Sequence, residues 1–210
     1  MQPFTRKSEN DLNFCLTLIT KHAFSLMKTP YLLQYDLISG KTIDELVQLI
    51  TEIQGLKVKD CRISDLIFYN DEPIYSGNGV YIFKSADRFI YVGCCVARNF
   101  VERIPAHFDL RVSGWFNSLL DNMRKVDSNE RSNETLTQAA RLALESYSIV
   151  LINFPLSDYT KHVSNIKILE TLLRKVLNPY NTLKSKPIDR SIKLADYFNI
   201  HLQLKLPDVF

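Results

Sequence analysis

Apolar positions recur along this chain at two spacings, one typical of helices and the other typical of strands. Helical spacing predicts helices over residues 8–29, 43–53, 97–108, 113–123, 136–145, 165–177 and 191–198. Runs rich in aromatic and β-branched residues predict strands at residues 56–58, 63–69, 79–83, 89–93 and 148–154. Residues 31–39 fit either a strand or a docked loop. The mixture predicts an α/β (α+β) fold.

Three of these runs are expected to form one small sheet. The runs at 79–83 and 89–93 are joined by the polar turn 85–88 (SADR), which favours a hairpin. The run at 148–154 is the strongest strand signal of the chain, and a proline follows it. We therefore predict a three-stranded mixed or antiparallel sheet that is flanked by helices.

Capping residues mark where several of the expected helices begin. Thr42 and Glu45 form a capping box before the second helix. Ser113 and Ser164 are the expected N-caps of two later helices. Pro30 ends the first helix. The stretch from 126 to 133 (VDSNERSN) is the most loop-like of the chain.

The order of these elements predicts three regions. Residues 1–76 form a mostly helical N-terminal addition, and residues 77–183 form a core with a helical insertion at about 113–146. Residues 184–210 form a basic C-terminal tail. The N-terminal addition could serve ligand recognition, dimerisation or stability alone, and the sequence leaves these roles open.

Composition narrows the class of protein only slightly. The chain has 210 residues, of which 46% are hydrophobic and 23% charged, an ordinary globular balance. Its net charge of +3 is compatible with a polyanionic partner but does not predict one. No apolar run approaches the roughly 20 residues that a membrane-spanning helix needs, and no secretory signal is present. We expect a cytoplasmic protein without a membrane partner.

Cysteine spacing argues against a structural zinc site. The four cysteines are Cys15, Cys61, Cys94 and Cys95. They show neither a CxxC pair nor a Cys/His ligand spacing. We expect free thiols in a reducing compartment.

Two short motifs occupy the predicted hairpin. Gly-Val-Tyr (79–81) and Tyr-Val-Gly (91–93) are separated by nine residues. Side chains alternate along a strand and paired strands share faces, so Tyr81 and Tyr91 can converge on one site. Taken singly, each is better explained as a strand tyrosine with a buried ring and a hydrated hydroxyl.

The helix after the hairpin carries Arg103 and His107, four residues apart and therefore on one helix face. A planar guanidinium suits bidentate binding of phosphate, which makes Arg103 a candidate phosphate ligand. Arg98 is a second candidate for this role. One arginine and one histidine on a surface helix are common, however, and alone they indicate no function.

A later helix carries Glu170, and Pro179 and Asn181 follow it. One carboxylate can be enough for Mg²⁺, which keeps several waters and accepts phosphate oxygens as further ligands. The alternative is an exposed glutamate paired with Arg174 one turn later.

The ordered set of motifs resembles the GIY-YIG nuclease family over about residues 76–183. In that family Gly-Ile-Tyr and Tyr-Ile-Gly lie on neighbouring strands, a helix with an essential arginine follows, and a late helix carries a metal-binding glutamate. An asparagine follows there after a proline-containing turn. The gap from Gly93 to Arg103 is ten positions, about two more than the commonest family pattern, and the Pro179 to Asn181 spacing is one residue shorter than usual.

The resemblance implies a Mg²⁺-dependent endonuclease that acts on double-stranded DNA, with Mn²⁺ able to substitute. The catalytic residues that it implies are Tyr81, Tyr91, Arg103, His107, Glu170 and Asn181, with Glu170 as the metal ligand. The first tyrosine would deprotonate or orient the attacking water. A phenol with a pKa of about 10 needs a nearby cation or base for that task. Lys84, Arg88 and His107 are the available helpers, and the sequence does not choose among them.

The spacing of arginine and histidine is similar to that in restriction and homing members of the family. We favour a site-specific, restriction-type nuclease and keep a homodimer open as its assembly. A structure-dependent repair or recombination nuclease and a homing nuclease are the alternatives within the class. A non-catalytic DNA-binding or interaction module on the same fold is the alternative outside it, against which the presence of Tyr81, Tyr91, Arg103 and Glu170 argues.

Overall fold

A five-stranded mixed sheet forms the centre of the fold in the computed structural model, which describes residues 30–74, 76–128, 130–155, 159–184 and 186–203. Its strands are β1 (Leu32–Gln34), β2 (Leu56–Lys57), β5 (Gly79–Lys84), β6 (Phe89–Cys95) and β7 (Ser148–Asn153). A separate hairpin pairs β3 (Phe68–Tyr69) with β4 (Glu72–Pro73). The expected α/β class is confirmed.

The three expected strands lie side by side. β5 pairs antiparallel with both β6 and β7, and β1 runs parallel to β7 on its other side. β2 also pairs with β7, antiparallel. The sheet therefore has two strands more than expected, because the residues before β5 supply β1 and β2. The segment between residues 30 and 74 is thus part of the same sheet as the hairpin that carries the motifs.

Seven α-helices surround this sheet in the described residues. They are α1 (Tyr35–Ile38), α2 (Ile43–Glu52), α3 (Phe100–Ala106), α4 (Ser118–Asp127), α5 (Asn133–Ser146), α6 (Tyr159–Val176) and α7 (Leu194–Gln203). Two short 3₁₀ helices span Val58–Asp60 and Ile63–Leu66. Within the described ranges, no helix combines the length and the apolar character that crossing a bilayer requires. The helix expected over residues 8–29 lies outside the described residues.

Several element boundaries differ from the expected ones. The run at 63–69 forms a 3₁₀ helix before β3, so it is not one strand. α3 begins only at Phe100, because the Asn99 side chain caps it by accepting the Glu102 N–H at 3.0 Å. Ser113 caps no helix, since α4 starts five residues later, and Ser164 lies inside α6.

Each face of the sheet packs against its own core. Alternation along the strands sends one set of side chains toward α2, α6 and α7, namely Val80, Ile82, Val92, Val150 and Ile152. The other set faces α3, α4 and α5, namely Tyr81, Phe83, Tyr91, Ile149 and Leu151. The first face is aliphatic, whereas the second carries the tyrosines of the two motifs.

Candidate active site

The Tyr81 hydroxyl and the His107 imidazole are joined by a hydrogen bond inside the protein. Tyr81 Oη lies 2.6 Å from His107 Nε2, and both side chains are 0% exposed. The backbone N–H of Leu119 donates to His107 Nδ1 at 3.3 Å. Because Nδ1 accepts, a neutral imidazole carries its proton on Nε2 and donates it to Tyr81 Oη. The proton of the Tyr81 hydroxyl is therefore left for another acceptor.

Burial sets the protonation of this pair. It lowers the pKa of His107 to about 3, and the positive charge of Arg103 acts in the same direction. Burial also raises the pKa of Tyr81 well above its usual value, with Tyr91 adding to the rise and Arg103 opposing it. At neutral pH the pair is thus a neutral phenol that accepts a hydrogen bond from a neutral imidazole.

Tyr81 and Tyr91 share one face of the hairpin, as the sequence predicted. In the ladder between β5 and β6, Tyr81 faces Gly93 and Phe83 faces Tyr91, which makes the tyrosines diagonal neighbours. Their rings stack with centroids 6.3 Å apart. A Cβ at Gly93 would lie 2.3 Å from Tyr81 Oη. The glycine of the second motif therefore makes room for the tyrosine of the first.

Arg103 brings an unsatisfied donor to the same place. Its Nη1 is buried and has no hydrogen-bond partner in the part of the chain that the structure describes. The guanidinium lies over the Phe116 ring, 5.4 Å from the centroid. Burial raises the pKa of both Tyr81 and Tyr91, and the positive charge of Arg103 opposes that rise. Buried donors are nearly always satisfied. This nitrogen is therefore suited to an anionic oxygen that enters the site.

Arg98, the second candidate for the phosphate ligand, lies against the same Phe116 ring but at the exposed surface of the protein. Its guanidinium is 4.2 Å from the Phe116 centroid, and its side chain is exposed. Arg103 is the arginine whose charge acts on Tyr81 and His107. Of the two arginines, Arg103 is therefore the one that lies near Tyr81 and His107.

Glu170 approaches from α6 toward the edge strand β6. It is partly exposed, and its carboxylate adds to the effect of burial in raising the pKa of Cys94 to about 12. It also raises the pKa of Tyr91. Arg174, the expected ion-pair partner, donates from Nε to the Asn181 carbonyl oxygen at 2.8 Å. Among the described residues Glu170 therefore forms no ion pair with Arg174, and its carboxylate interacts with the Cys94 thiol and with Tyr91.

A metal ion at this site would have few protein ligands. Among the described residues, no group of three or more His, Cys, Asp or Glu side chains could hold a metal together. Glu170 would be the single carboxylate, with waters and substrate oxygens completing the shell. Mg²⁺ accepts that arrangement, so the residues present fit this ion.

Asn181 is engaged with the backbone of β6. Its Oδ1 accepts the Val92 N–H at 3.1 Å, and its Nδ2 donates to the Val92 carbonyl at 2.7 Å. The neighbouring Tyr180 N–H donates to the Ile90 carbonyl at 3.0 Å. These contacts cover the free edge of the sheet, so Asn181 anchors the turn after α6 beside the tyrosines.

The structure brings only one of the three possible helpers to Tyr81. Lys84 points to the opposite face of the sheet, and its Nζ donates to the carbonyls of Ile50, Thr51 and Ile53 at 3.0, 2.8 and 2.6 Å. Arg88 donates to the Tyr180 hydroxyl at 2.9 Å. His107 is the helper in contact.

The start of α4 contributes contacts that sequence reasoning did not identify. The Ser118 hydroxyl lies 2.9 Å from Tyr91 Oη. Phe116 supports both arginines, and Leu119 fixes the His107 tautomer. These residues belong to the expected insertion and match no motif, so no local pattern could have revealed them.

Comparisons with family models, curated proteins and solved structures found no match for this chain. The resemblance to the GIY-YIG nucleases therefore stays a prediction. Any functional conclusion depends on the motifs and on the geometry of the site.

Proposed function

We propose that this protein is a Mg²⁺-dependent endonuclease that hydrolyses double-stranded DNA at a centre around Tyr81. The observation that carries the proposal is the 2.6 Å hydrogen bond between Tyr81 and His107 beside the unpartnered Nη1 of Arg103. Phosphodiester hydrolysis needs an activated water and a donor for the charge that develops on the phosphate. Tyr81 would activate the water, and Arg103 would donate to the phosphate.

The phenol of Tyr81 first loses its proton to solvent water, which becomes hydronium, and the phenolate that forms is the base. The phenolate oxygen takes a proton from the water that attacks phosphorus, while the Nε2–H of His107 donates to that oxygen. Because His107 already carries its proton on Nε2, it serves as a positioning residue. Burial raises the pKa of Tyr81, so the ionised fraction is small at neutral pH and grows roughly tenfold per pH unit.

Arg103 and Glu170 complete the site. The guanidinium of Arg103 donates to a non-bridging phosphate oxygen and stabilises the charge that forms there. Glu170 would hold Mg²⁺ or Mn²⁺, and the bound ion supplies a Lewis acid that stabilises the leaving oxygen. Asn181 and Tyr91 keep the edge strand in place through their contacts with Val92 and Ser118.

The burial of the pair favours a second candidate, a non-catalytic DNA-binding or interaction module. A hydroxyl on a side chain that is 0% exposed meets DNA only after its neighbours move. Arg103 is partly exposed and its charge acts on the pair, and it lies on Phe116, which is exposed. The endonuclease proposal therefore requires Arg103 and Phe116 to shift when DNA binds. A module needs no such movement.

The preferred specificity is that of a restriction-type enzyme in the cytoplasm, with a homodimer as one assembly. A structure-dependent repair or recombination nuclease and a homing nuclease remain the alternatives. The pattern of products distinguishes them, since a sequence-specific enzyme gives discrete bands and a structure-dependent or non-specific one gives a smear.

Digestion of plasmid and mixed-sequence linear DNA tests the proposal. We expect cleavage with Mg²⁺ or Mn²⁺ and none with EDTA. Glu170→Gln should lose cleavage but keep DNA binding, whereas Glu52→Gln, which changes an exposed glutamate on α2, should cut at the parent rate. Parent-level cutting by Glu170→Gln would remove Glu170 from the site. A parent that binds DNA without cutting it would favour the module.

A further inference from the structure

The loop between α3 and α4 presents the single tryptophan of the chain to solvent. Trp115 is 91% exposed. Leu110, Val112 and Phe116 in the same loop are also exposed by 40% or more. A single exposed apolar side chain needs no explanation, but a group of large ones on one loop indicates an interaction site.

Hydrogen bonds from Asn117 and Arg131 connect different parts of this loop. Asn117 is 1% exposed, and its Nδ2 donates to the carbonyls of Asp109 and Arg111 at 2.8 and 3.1 Å. Arg131 donates to the Gly114 carbonyl and to Asn117 Oδ1, both at 3.0 Å. The indole is therefore presented from a preorganised loop, which reduces the entropy lost when a ligand binds.

Two arginines lie against an aromatic side chain of the loop, and two aspartates near the loop are paired. Phe116, the next residue, contacts the guanidinium groups of Arg98 and Arg103. Asp109 is paired with Arg111 at 2.7 Å, and Asp121 is paired with Arg124 at 2.8 Å and with Lys125 at 2.7 Å. Arginines next to exposed aromatic rings are the combination that binds phosphates and stacks on bases.

The loop is also continuous with the candidate active site. Ser118 contacts the Tyr91 hydroxyl three residues after Trp115, and Phe116 lies under Arg103. The residues that follow Trp115 in the chain therefore contact the groups of the candidate active site.

We propose that Trp115 stacks on a nucleobase of the bound DNA, next to the phosphate held by Arg103. This inference rests on the proposed function, because it takes DNA as the ligand of the site. Stacking would fix the position of the DNA relative to Tyr81 and would contribute to binding rather than to the chemical step. It would also supply the contact that moves Phe116 and Arg103 on binding.

The fluorescence of the single tryptophan tests this inference directly. We expect duplex DNA, added in EDTA, to quench the emission of Trp115, because stacked bases quench indole. Polyphosphate, which has the charge but no bases, should leave the emission unchanged. Trp115→Ala should raise the Kd for labelled duplex roughly 5- to 100-fold, the usual range for one stacked base. Trp115→Phe should retain most of the affinity.

Leu37→Ala is the matched control, since Leu37 is 75% exposed on α1, and it should bind DNA like the parent. Unchanged emission together with parent-level binding by Trp115→Ala would overturn the inference, even if the parent cuts DNA. Quenching by DNA in a parent that does not cut would support the inference and remove the endonuclease. A shift of Trp115→Ala from dimer to monomer in sedimentation, with unchanged DNA binding, would assign the loop to a contact between copies and overturn the inference.

Discussion

Each face of the central sheet has a cation with a buried nitrogen, and the two nitrogens are bound differently. Lys84 points toward the face of α2, α6 and α7, where its ammonium donates to three carbonyls near the C-terminal end of α2. These acceptors match the three N–H groups of an ammonium. Arg103 lies on the face of α3, α4 and α5, where its Nη1 is buried without a partner in the described residues.

The comparison of Lys84 with Arg103 distinguishes a cation that stabilises the fold from one that is available to a ligand. A buried cation whose donors are all satisfied contributes to folding and offers nothing to a ligand, whereas one with a spare donor offers a site for an anion. The two faces of the sheet differ in their side chains as well. Val80 and Ile82 give the first face an aliphatic core, while Tyr81 and His107 give the second a buried polar pair. The first face therefore has a purely stabilising cation, and the second carries the groups that we propose to react.

The largest effect is expected from Tyr81→Phe, which removes one hydroxyl from the reactive face. If that hydroxyl is the base, the cleavage rate should fall roughly 10²- to 10⁴-fold, the usual contribution of a general base. The free energy of unfolding should change by only about 1 kcal/mol, because one hydrogen bond is lost. Tyr91→Phe is the control and should be less impaired. Cleavage assays with thermal melts measure both, and a folded Tyr81→Phe protein that cuts at the parent rate would contradict the role of Tyr81.

A comparison of two arginines should give the next largest effect. Arg103→Ala removes the donor next to Tyr81 and should lower the cleavage rate by roughly 10²- to 10³-fold, the usual contribution of one transition-state donor. Arg98→Ala removes an exposed guanidinium from the same Phe116 ring and should lower it far less. Single-turnover rates on saturating DNA measure the difference. The reverse ranking would show that Arg98 is the phosphate ligand.

The free energy of unfolding should respond differently to removal of Lys84 and of Arg103. Lys84→Met leaves three carbonyls without their donor and should lower the free energy of unfolding by about 1.5–3 kcal/mol, since hydrogen bonds to a charged group are lost. Arg103→Met removes an unsatisfied buried donor and should leave stability unchanged or raise it. Urea denaturation of both variants measures this. Equal destabilisation would mean that Arg103 is also a structural cation.

The smallest effect is a pH dependence due to His107. Its pKa is about 3 in the folded protein and about 6.5 when unfolded. Between these values the unfolded chain binds the proton and the folded protein does not, so stability is full above pH 6.5 and falls as the pH is lowered. His107→Gln should lack this component while keeping a donor near Tyr81. From pH 6.5 to 5.5 the difference between parent and variant should stay below about 1.4 kcal/mol, and identical pH slopes would show that His107 titrates normally.

Local pattern was sufficient where an element is defined by its own residues. The strands expected at 79–83, 89–93 and 148–154 are found as β5, β6 and β7 with changes of at most two residues at their ends. The capping box of Thr42 and Glu45 is present, with the Thr42 N–H donating to Glu45 Oε2 at 2.7 Å. Alternation and capping involve neighbours in the chain, so the sequence records them directly.

Contacts between elements that are far apart in the chain were not predictable in this way. The strand expected at 56–58 is found as β2, and the ambiguous run at 31–39 contains β1, but local pattern did not show that both pair with β7. His107 was expected on a polar helix face, yet it is buried because α4 packs over it and Leu119 donates to its ring. The helical spacing predicts that His107 lies on the same side as Arg103, but it does not predict which elements cover that side.

The sequence by itself determined the hairpin, the two tyrosines on one face of it, and the residue types available for chemistry. It could not determine which helper reaches Tyr81, because Lys84, Arg88 and His107 are equally plausible from their positions. The tertiary structure decided for His107, through the packing of α3 and α4 on the sheet. It also decided the tautomer of His107 and the direction of both pKa shifts. Protonation depends on burial and on partners far away in the chain, and these exist only once the fold has assembled.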